Sequence, residues 1–422
     1  MKIIRNNKNC YYTRSAIFLI AMMTDIALAD IYPNRSRDLS VITDNIERVM
    51  VSKNATNKDQ PDDIFISETN IRQTNVPMLE DHRQIQVERG TTSLSAEVEY
   101  ASTYSATDPE FERDEFLARI QSYSNYQITD NTNVLLDLDL ILDGEEEKLS
   151  QASRFLDHEG LNVDLLKMEY SKDTFTLFAG RYEPAEEIFP NTPAFFGNYA
   201  HYIDLDEKVG FGGSVKLNES LKGEHIITTH FFHLDTSFLS APLFTDRGRI
   251  RKEDGGISNT GKFNNYLITV NGSNLHDEKG LSYVLGYGLQ NGGLETELDE
   301  RMLIGGIYHS FEASENSDIE LAIEHVNLRN AGGYSEEHRT FTLGASYNQW
   351  PWSIGLVFSQ RRVNSLDTFD SRSDRIYEIV GRYFVGDHVG IETAFEFLKE
   401  NEEKERLFGI VIVYYFDEIS HY

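Results

Sequence analysis

From residue 91 almost to its end the chain alternates apolar and polar side chains. Leu94, Ala96, Val98 and Tyr100 interleave with Ser95, Glu97 and Glu99. Val134, Leu136, Leu138, Leu140 and Leu142 interleave with Asp137, Asp139 and Asp143. Ile319, Leu321 and Ile323 do the same with Glu320 and Glu324, and Val389, Ile391, Phe395 and Phe397 with Glu392 and Glu396. A period of two is the pattern of β-strands with one apolar and one wet face. The segment Phe408–Phe416 is the sharpest case: Phe408, Ile410, Ile412, Tyr414 and Phe416 share one face, with aromatics at both ends. An apolar face bracketed by aromatics is what a bilayer demands of a membrane strand.

The alternation predicts strands near 91–104, 115–128, 132–143, 160–171, 173–182, 209–218, 222–233, 263–272, 281–290, 301–312, 317–328, 339–348, 351–362, 375–384, 388–399 and 405–416. The expected fold is all-β, a transmembrane antiparallel β-barrel of about sixteen strands with long extracellular loops and short periplasmic turns. Connections after odd-numbered strands are mostly long, such as 183–208 and 234–262, and those after even-numbered strands mostly tight. An even strand count returns both ends to the periplasmic side. Pro109, Pro184, Pro190, Pro193, Pro242 and Pro351 fall in loops or at a strand start, as residues without a ladder donor must. A secreted β-sandwich or β-helix lacks this loop rhythm, and its apolar faces would have to meet each other.

Residues 1–29 read as an export signal. Lys2, Arg5, Lys8 and Arg14 precede the apolar run Ala16–Met23, and Ala27-Leu28-Ala29 has the form of a cleavage site. Residues 30–90 are polar and hold Pro33, Pro61 and Pro77. That composition fits a disordered extension, with a partial plug of the barrel as the other reading. Residues 91–422 are then the barrel. The single cysteine, Cys10, lies in the signal, so the remainder offers no disulfide and no thiolate metal ligand.

With 39 Lys+Arg against 69 Asp+Glu the formal charge is −30. Removing the signal, with its four basic residues and one acid, leaves −33. Such a chain is unsuited to nucleic acid, whose binding needs basic surface. It favours cationic solutes, and a solvated acidic rim is the plainer reading of the same charge.

In this architecture the chain resembles the sixteen-stranded Gram-negative outer-membrane porins, over roughly 91–416. Three features carry the resemblance: the Ala27-Leu28-Ala29 site, the aromatic-ended last strand and a long third outer loop. In that loop Pro193-Ala194-Phe195-Phe196-Gly197 is similar to the family's Pro-Glu-Phe-Gly constriction motif, with Ala194 where the family has Glu. The resemblance implies a loop folded into the barrel to narrow it, a trimer, and assembly by the machinery that reads a terminal aromatic. The family usually ends on that aromatic. Here Asp417–Tyr422 follow Phe416, so the last strand ends at Phe416 with a short tail or runs on to Tyr422.

A channel selects by its width and by the charges on its lining. The candidates are acids of the third loop, Glu183, Glu186, Glu187, Asp204, Asp206 and Glu207, with its aromatics Phe195 and Phe196. On the wall they are Asp137, Asp139, Arg119, Arg181 and Arg382, and parity puts Glu97, Glu99, Lys167, Glu169, Glu320, Glu324, Glu378, Glu392 and Glu396 on the lumen face as well. Arg119, Arg181, Arg361 and Arg382 could form a basic ladder facing the acidic loop, or simply pair with wall carboxylates. Tyr100, Tyr170, Tyr308, Tyr347, Trp352, Tyr383 and Tyr414 sit at or near strand ends as expected of an interfacial girdle. Asn271-Gly272-Ser273-Asn274 with His276 is too slight for a hydrolase, and His225, His230 and His233 are spaced onto different faces. No cofactor is implied. The expectation is a porin in the bacterial outer membrane, passing small hydrophilic solutes passively with a mild cation preference. Its partners would be outer-membrane lipid and lipopolysaccharide, the barrel-assembly machinery and a homotrimer. A channel selective for sugars or anions, and a structural or adhesive barrel without an open pore, are the alternatives.

Overall fold

In the computed structural model the described residues are 89–421, less 148–152, 156–159, 185–192, 202, 204, 218–222, 243–248, 276–279, 295–297 and 369. The export signal, Cys10 and residues 30–88 of the extension lie outside them.

Sixteen long antiparallel strands close into a barrel. They are β1 (Gly90–Ala106), β2 (Arg113–Thr129), β3 (Thr132–Glu147), β4 (Gly160–Lys172), β5 (Phe175–Tyr182), β6 (Lys208–Leu217), β7 (Glu224–Leu234) and β8 (Asn265–Ser273). There follow β9 (Leu281–Gln290), β10 (Glu300–Ser314), β11 (Ser317–Arg329), β12 (Glu336–Gln349), β13 (Trp352–Ser365), β14 (Ser371–Val385), β15 (Val389–Glu400) and β16 (Glu403–Tyr415). Each strand pairs with its neighbours in sequence, and β1 pairs with β16 from Ser95↔Tyr415 to Ala106↔Glu405. Closure leaves no free edge, so every ladder group has a partner in a medium that offers none.

All sixteen segments expected from the alternation are strands, with ends moved by a few residues. Two-residue turns carry the residues they need: Asp173 at φ 52 between β4 and β5, and Asn401 at φ 56 between β15 and β16. Asp and Asn tolerate this left-handed region better than other side chains.

Two short strands escaped the pattern. Ser153–Phe155 extends the β3 ladder at Gly144–Glu146. Ile419–His421 pairs with Gly90–Thr92 of β1. The last strand therefore neither stops at Phe416 with a loose tail nor runs on unbroken. The ladder along β1 is interrupted after Phe416, whose N–H still donates to Leu94 O at 3.0 Å, and then resumes. The resumed stretch satisfies the backbone of the first residues of β1, which β16 does not reach.

The outer face is apolar. Val98, Ile120, Met168, Leu285, Leu303, Ile323, Ile354 and Ile412 are all exposed there. A continuous apolar band around a closed barrel is a lipid-facing surface. No helix among the described residues is long and apolar enough to cross a membrane. Tyr100, Tyr170, Trp352, Tyr383 and Tyr414 lie exposed in the outer set, as a girdle requires. Tyr308 does not. It faces inward and is buried, because on β10 the inward positions are Met302, Ile304 and Tyr308.

Candidate functional site: an inserted loop and the lumen wall

The described residues of the connection between β5 and β6, which spans 183–207, fold into the lumen. They touch strands far around the ring. Phe195 N–H donates to Glu378 Oε1 of β14 at 2.6 Å, and Phe196 N–H reaches the same oxygen at 3.4 Å. Tyr199 N–H donates to Ser359 Oγ of β13 at 3.2 Å. Asn198 Oδ1 accepts from Thr342 Oγ1 of β12 at 3.4 Å, and from Ala200 N–H at 2.9 Å. The Arg361 guanidinium of β13 lies 4.3 Å from the Tyr199 ring centroid, a cation–π contact. Burial holds the Tyr199 phenol above its ordinary pKa, with the Glu400 carboxylate adding to the effect.

Glycines on the wall make room for this docking. A Cβ on Gly355 of β13 would stand 2.8 Å from Pro193 Cβ, and one on Gly409 of β16 would run into the Phe195 ring. Phe195 and Phe196 pack edge to face at 4.7 Å beside it. The acceptor for the loop's N–H groups is Glu378 on the wall.

The loop is also held by apolar burial. Ala200, Ile203 and Leu205 join Phe232, Leu267, Val284, Met302, Ile304, Tyr308, Ala322 and Val326 in one cluster. These wall residues are the inward positions of β7–β11. Outward neighbours such as Phe231, Ile268, Leu285, Leu303 and Ile323 are apolar as well, so these strands are apolar on both faces. Glu324 is fully buried in this arc. Its Oε1 accepts from Tyr308 Oη at 3.3 Å, and its Oε2 lies 3.8 Å from His201 Nε2 of the loop. Read as a pore-lining acid from its parity, it is instead covered by the loop.

Arg181 fastens the base of the loop. Its Nε donates to Val163 O at 2.5 Å, Nη1 to Asp235 Oδ2 at 2.5 Å and Nη2 to Glu207 Oε1 at 3.3 Å. Strict alternation would put Arg181 outside with Phe175 and Leu177. Gly180, at φ +149, breaks the alternation, and Arg181 and Tyr182 are both buried beyond it.

The opposite arc, from β14 through β16 to β3, carries the charges. Arg119 bridges Asp139 at 3.0 Å and Glu97 at 3.4 Å. Arg382 pairs with Glu392, and Arg361 of the flanking strand β13 with Asp374 at 3.0 Å and with Glu400. Asp137 Oδ2 accepts from Gln121 Nε2 at 2.9 Å. The four arginines considered as a ladder are thus each matched to carboxylates. Water still reaches the charged arc: the Arg119 and Arg382 side chains are 36% and 35% exposed, whereas Glu324 in the apolar arc is at 0%.

Of the loop acids, Glu183 and Asp206 are exposed, Glu207 pairs with Arg181, and Glu186, Glu187 and Asp204 lie outside the described residues. Glu378, an inward acid by its parity, holds the loop together with Ser359, which candidates chosen on charge do not include. The signal that could have found Ser359 is its inward parity opposite the loop's backbone N–H groups. Asn271–Ser273 belongs to β8 rather than to a turn. Gly272 there lies under the Tyr283 ring, and His276 is outside the described residues. His225 turns to Tyr283 Oη at 3.0 Å, while His230 packs on Phe178 and Tyr182.

No protein-family model matches the chain, and no curated protein matches it in sequence. Solved structures match in fold. OprB of Pseudomonas putida at high pH superposes with TM-score 0.57 at 10% identity, covering 78% of this chain and 94% of that one. OmpF of Salmonella typhi in complex with daunomycin gives 0.54 at 11% identity, with 78% and 98% covered. A loop-deleted form of OmpT, an outer membrane protein of Vibrio cholerae, gives 0.50 at 8% identity, with 78% and 100% covered. The fold is that of the outer-membrane porin barrels, and the chain extends beyond it.

Proposed function

We propose that this barrel is a passive channel of the bacterial outer membrane for small hydrophilic solutes, with a mild preference for cations. One observation carries the reading. The inserted loop buries the apolar arc and caps Glu378 and Gly409, and it leaves the Arg119–Glu97 and Arg382–Glu392 pairs of the charged arc partly wetted. A loop that narrows a barrel on one side and spares a charged side makes a size filter with a polar surface, which is how a general diffusion pore selects. No binding energy or chemistry at a reacting group is required, so the reading is non-enzymatic.

The cation preference is supported by the excess of acid on the wetted arc. Among its partly exposed side chains Glu97, Glu99 and Glu392 outnumber Arg119 and Arg382. The proposed partners are outer-membrane lipid and lipopolysaccharide around the apolar band, and the assembly machinery at β16. A homotrimer is proposed through the outer face of β1 and β2. The register there places small residues (Ala96, Ala118 and Ser122) among Val98 and Ile120.

The test is a planar bilayer holding the refolded protein in a KCl gradient. Discrete open steps with a cation-selective reversal potential are expected. Absence of steps from a folded, heat-modifiable barrel would sink the passive-pore reading in favour of a closed structural barrel. Removing residues 30–88 separates a tail from a plug: conductance stays the same for the first and rises for the second.

A further inference from the structure

The outward positions of β12–β16 are apolar across the lipid-facing band and basic at its extracellular edge. Six of them carry cations: Arg339 on β12, Arg362 on β13, Arg375 on β14, Lys399 on β15, and Lys404 and Arg406 on β16. They share the parity of Phe341, Ile354, Ile379, Phe395 and Ile412, the exposed apolar side chains of the same strands. The one acid among these outward positions is Glu337, which pairs with Arg339 at 2.9 Å.

The strand register lines the cations up. Arg339 stands opposite Arg362, Arg375 opposite Lys399, and Lys399 opposite Lys404. Cross-strand neighbours on one face lie about 5 Å apart at Cβ, and like charges placed there repel. The acids that could relieve them face the other way. On β15 and β16, Glu392, Glu396, Glu400, Glu403 and Glu405 all take the inward parity, and the three bases all take the outward one.

The charge is confined in two directions. At their periplasmic ends the same outward faces carry Tyr347, Trp352, Tyr383, Val389 and Tyr414, and no charge. Around the ring, the outward position at the extracellular edge of β2 is an acid. Asp114 Oδ1 there accepts from Tyr100 Oη at 3.0 Å and from Ser102 Oγ at 2.5 Å. That sector is the one proposed above for the trimer contact.

A lipid-facing surface with a cationic outer edge fits an amphiphile whose acyl chains lie on the apolar band and whose phosphates reach the row of cations. Guanidiniums take phosphate oxygens as bidentate donors, and ammoniums act as point charges. A ligand confined to the outer leaflet accounts for a row confined to the outer edge. We propose that the outer edge of β12–β16 is a docking face for lipopolysaccharide, whose phosphorylated sugars are held by Arg362, Arg375, Lys399, Lys404 and Arg406. The docking face deepens the lipid contact proposed above and rests on that reading, but not on the barrel conducting.

The test mixes the folded full chain, in zwitterionic detergent, with purified lipopolysaccharide, intact or enzymatically dephosphorylated. Complexes are scored by native mass spectrometry, with EDTA present to remove divalent bridges to loop acids. Wild type is expected to bind the intact form about tenfold more tightly, with a smaller margin as salt rises. R362Q/R375Q/K399Q/K404Q/R406Q should bring the intact form down to the dephosphorylated level. Heat modifiability and single-channel conductance should stay unchanged, because these side chains face away from the lumen. K172Q/K216Q/R251Q/K252Q/K262Q, which neutralises as many exposed cations elsewhere, should bind as wild type. If wild type binds both forms alike, or the first variant keeps the preference for the intact form, the docking face is overturned while the lipid contact stands. If wild type binds neither form, both fall. An equal loss in the second variant reduces the effect to net charge and overturns the proposal, as does displacement of the intact form by an equal concentration of phosphatidylglycerol.

Discussion

Two arcs of one barrel wall use their inward faces in opposite ways. On β7–β11 the inward positions are Phe232, Leu267, Val284, Met302, Ile304, Ala322 and Val326, and the inserted loop buries them with Ala200, Ile203 and Leu205. On the arc from β14 to β3 they include Arg382, Glu392, Glu97, Arg119 and Asp139, paired with one another and partly wet. The first arc is a protein core in which the loop is the second layer. The second is a channel wall. The difference teaches where a pore of this kind places its solute. Apolar wall attracts protein, which takes it out of water, and charged wall keeps water, because burying its charges would cost more than any contact returns. Glu378 marks the seam, a wall carboxylate spent on the loop's backbone N–H groups.

The comparison breaks most severely if charge is put into the apolar arc. Leu205→Asp, with Ile203→Asp as its companion, should expel the loop at a cost of about 3–5 kcal/mol or more. The expected readouts are a larger single-channel conductance and new proteolysis within 193–207, and unchanged conductance with an intact loop would end the two-arc account. A similar loss, about 3–5 kcal/mol, is expected from Arg181→Met, which strands Asp235 without its buried partner. It should lower the urea midpoint of unfolding. The same kind of change on the wet arc, Arg382→Met, should move that midpoint little, by about 0–1 kcal/mol, because the pair is solvated. Equal losses at the two arginines would erase the contrast.

At the seam, Glu378→Ala removes the acceptor for Phe195 and Phe196 N–H, for about 1–3 kcal/mol. It should show as increased open-channel noise, largely restored by Glu378→Gln, which keeps a carbonyl acceptor. The smallest effect concerns selectivity alone. Replacing Glu97, Glu99 and Glu392 together by Gln should cut the cation-to-anion permeability ratio about twofold with conductance nearly kept. A reversal potential that stays where it was would move selectivity to other residues.

Much of this was open to reading in one dimension. Alternation placed all sixteen strands, because a bilayer on one side and water or protein on the other force a period of two. It also placed Asp137, Asp139 and Arg119 on the inside. It misjudged Tyr308 as a girdle residue and Glu324 as pore lining for a single reason. On β7–β11 both faces are apolar, as in Met302-Leu303-Ile304 and Leu321-Ala322-Ile323, and that doubling was the available sign of a lumen face covered by protein.

Local chain properties decided the barrel: strand period, turn residues such as Asp173 and Asn401, and aromatic strand ends, whereas the folding-in of the Pro193–Gly197 loop was implied by the family resemblance alone. The local properties follow from each residue's own preference and its immediate neighbours. The partners came only with the closed structure. That Phe195 meets Glu378, 183 residues away, that Arg181 turns inward past Gly180 to Asp235, and that Ile419–His421 rejoins β1 all depend on which wall stands opposite once the ring is shut. Sequence spacing carries no information about that distance across a lumen.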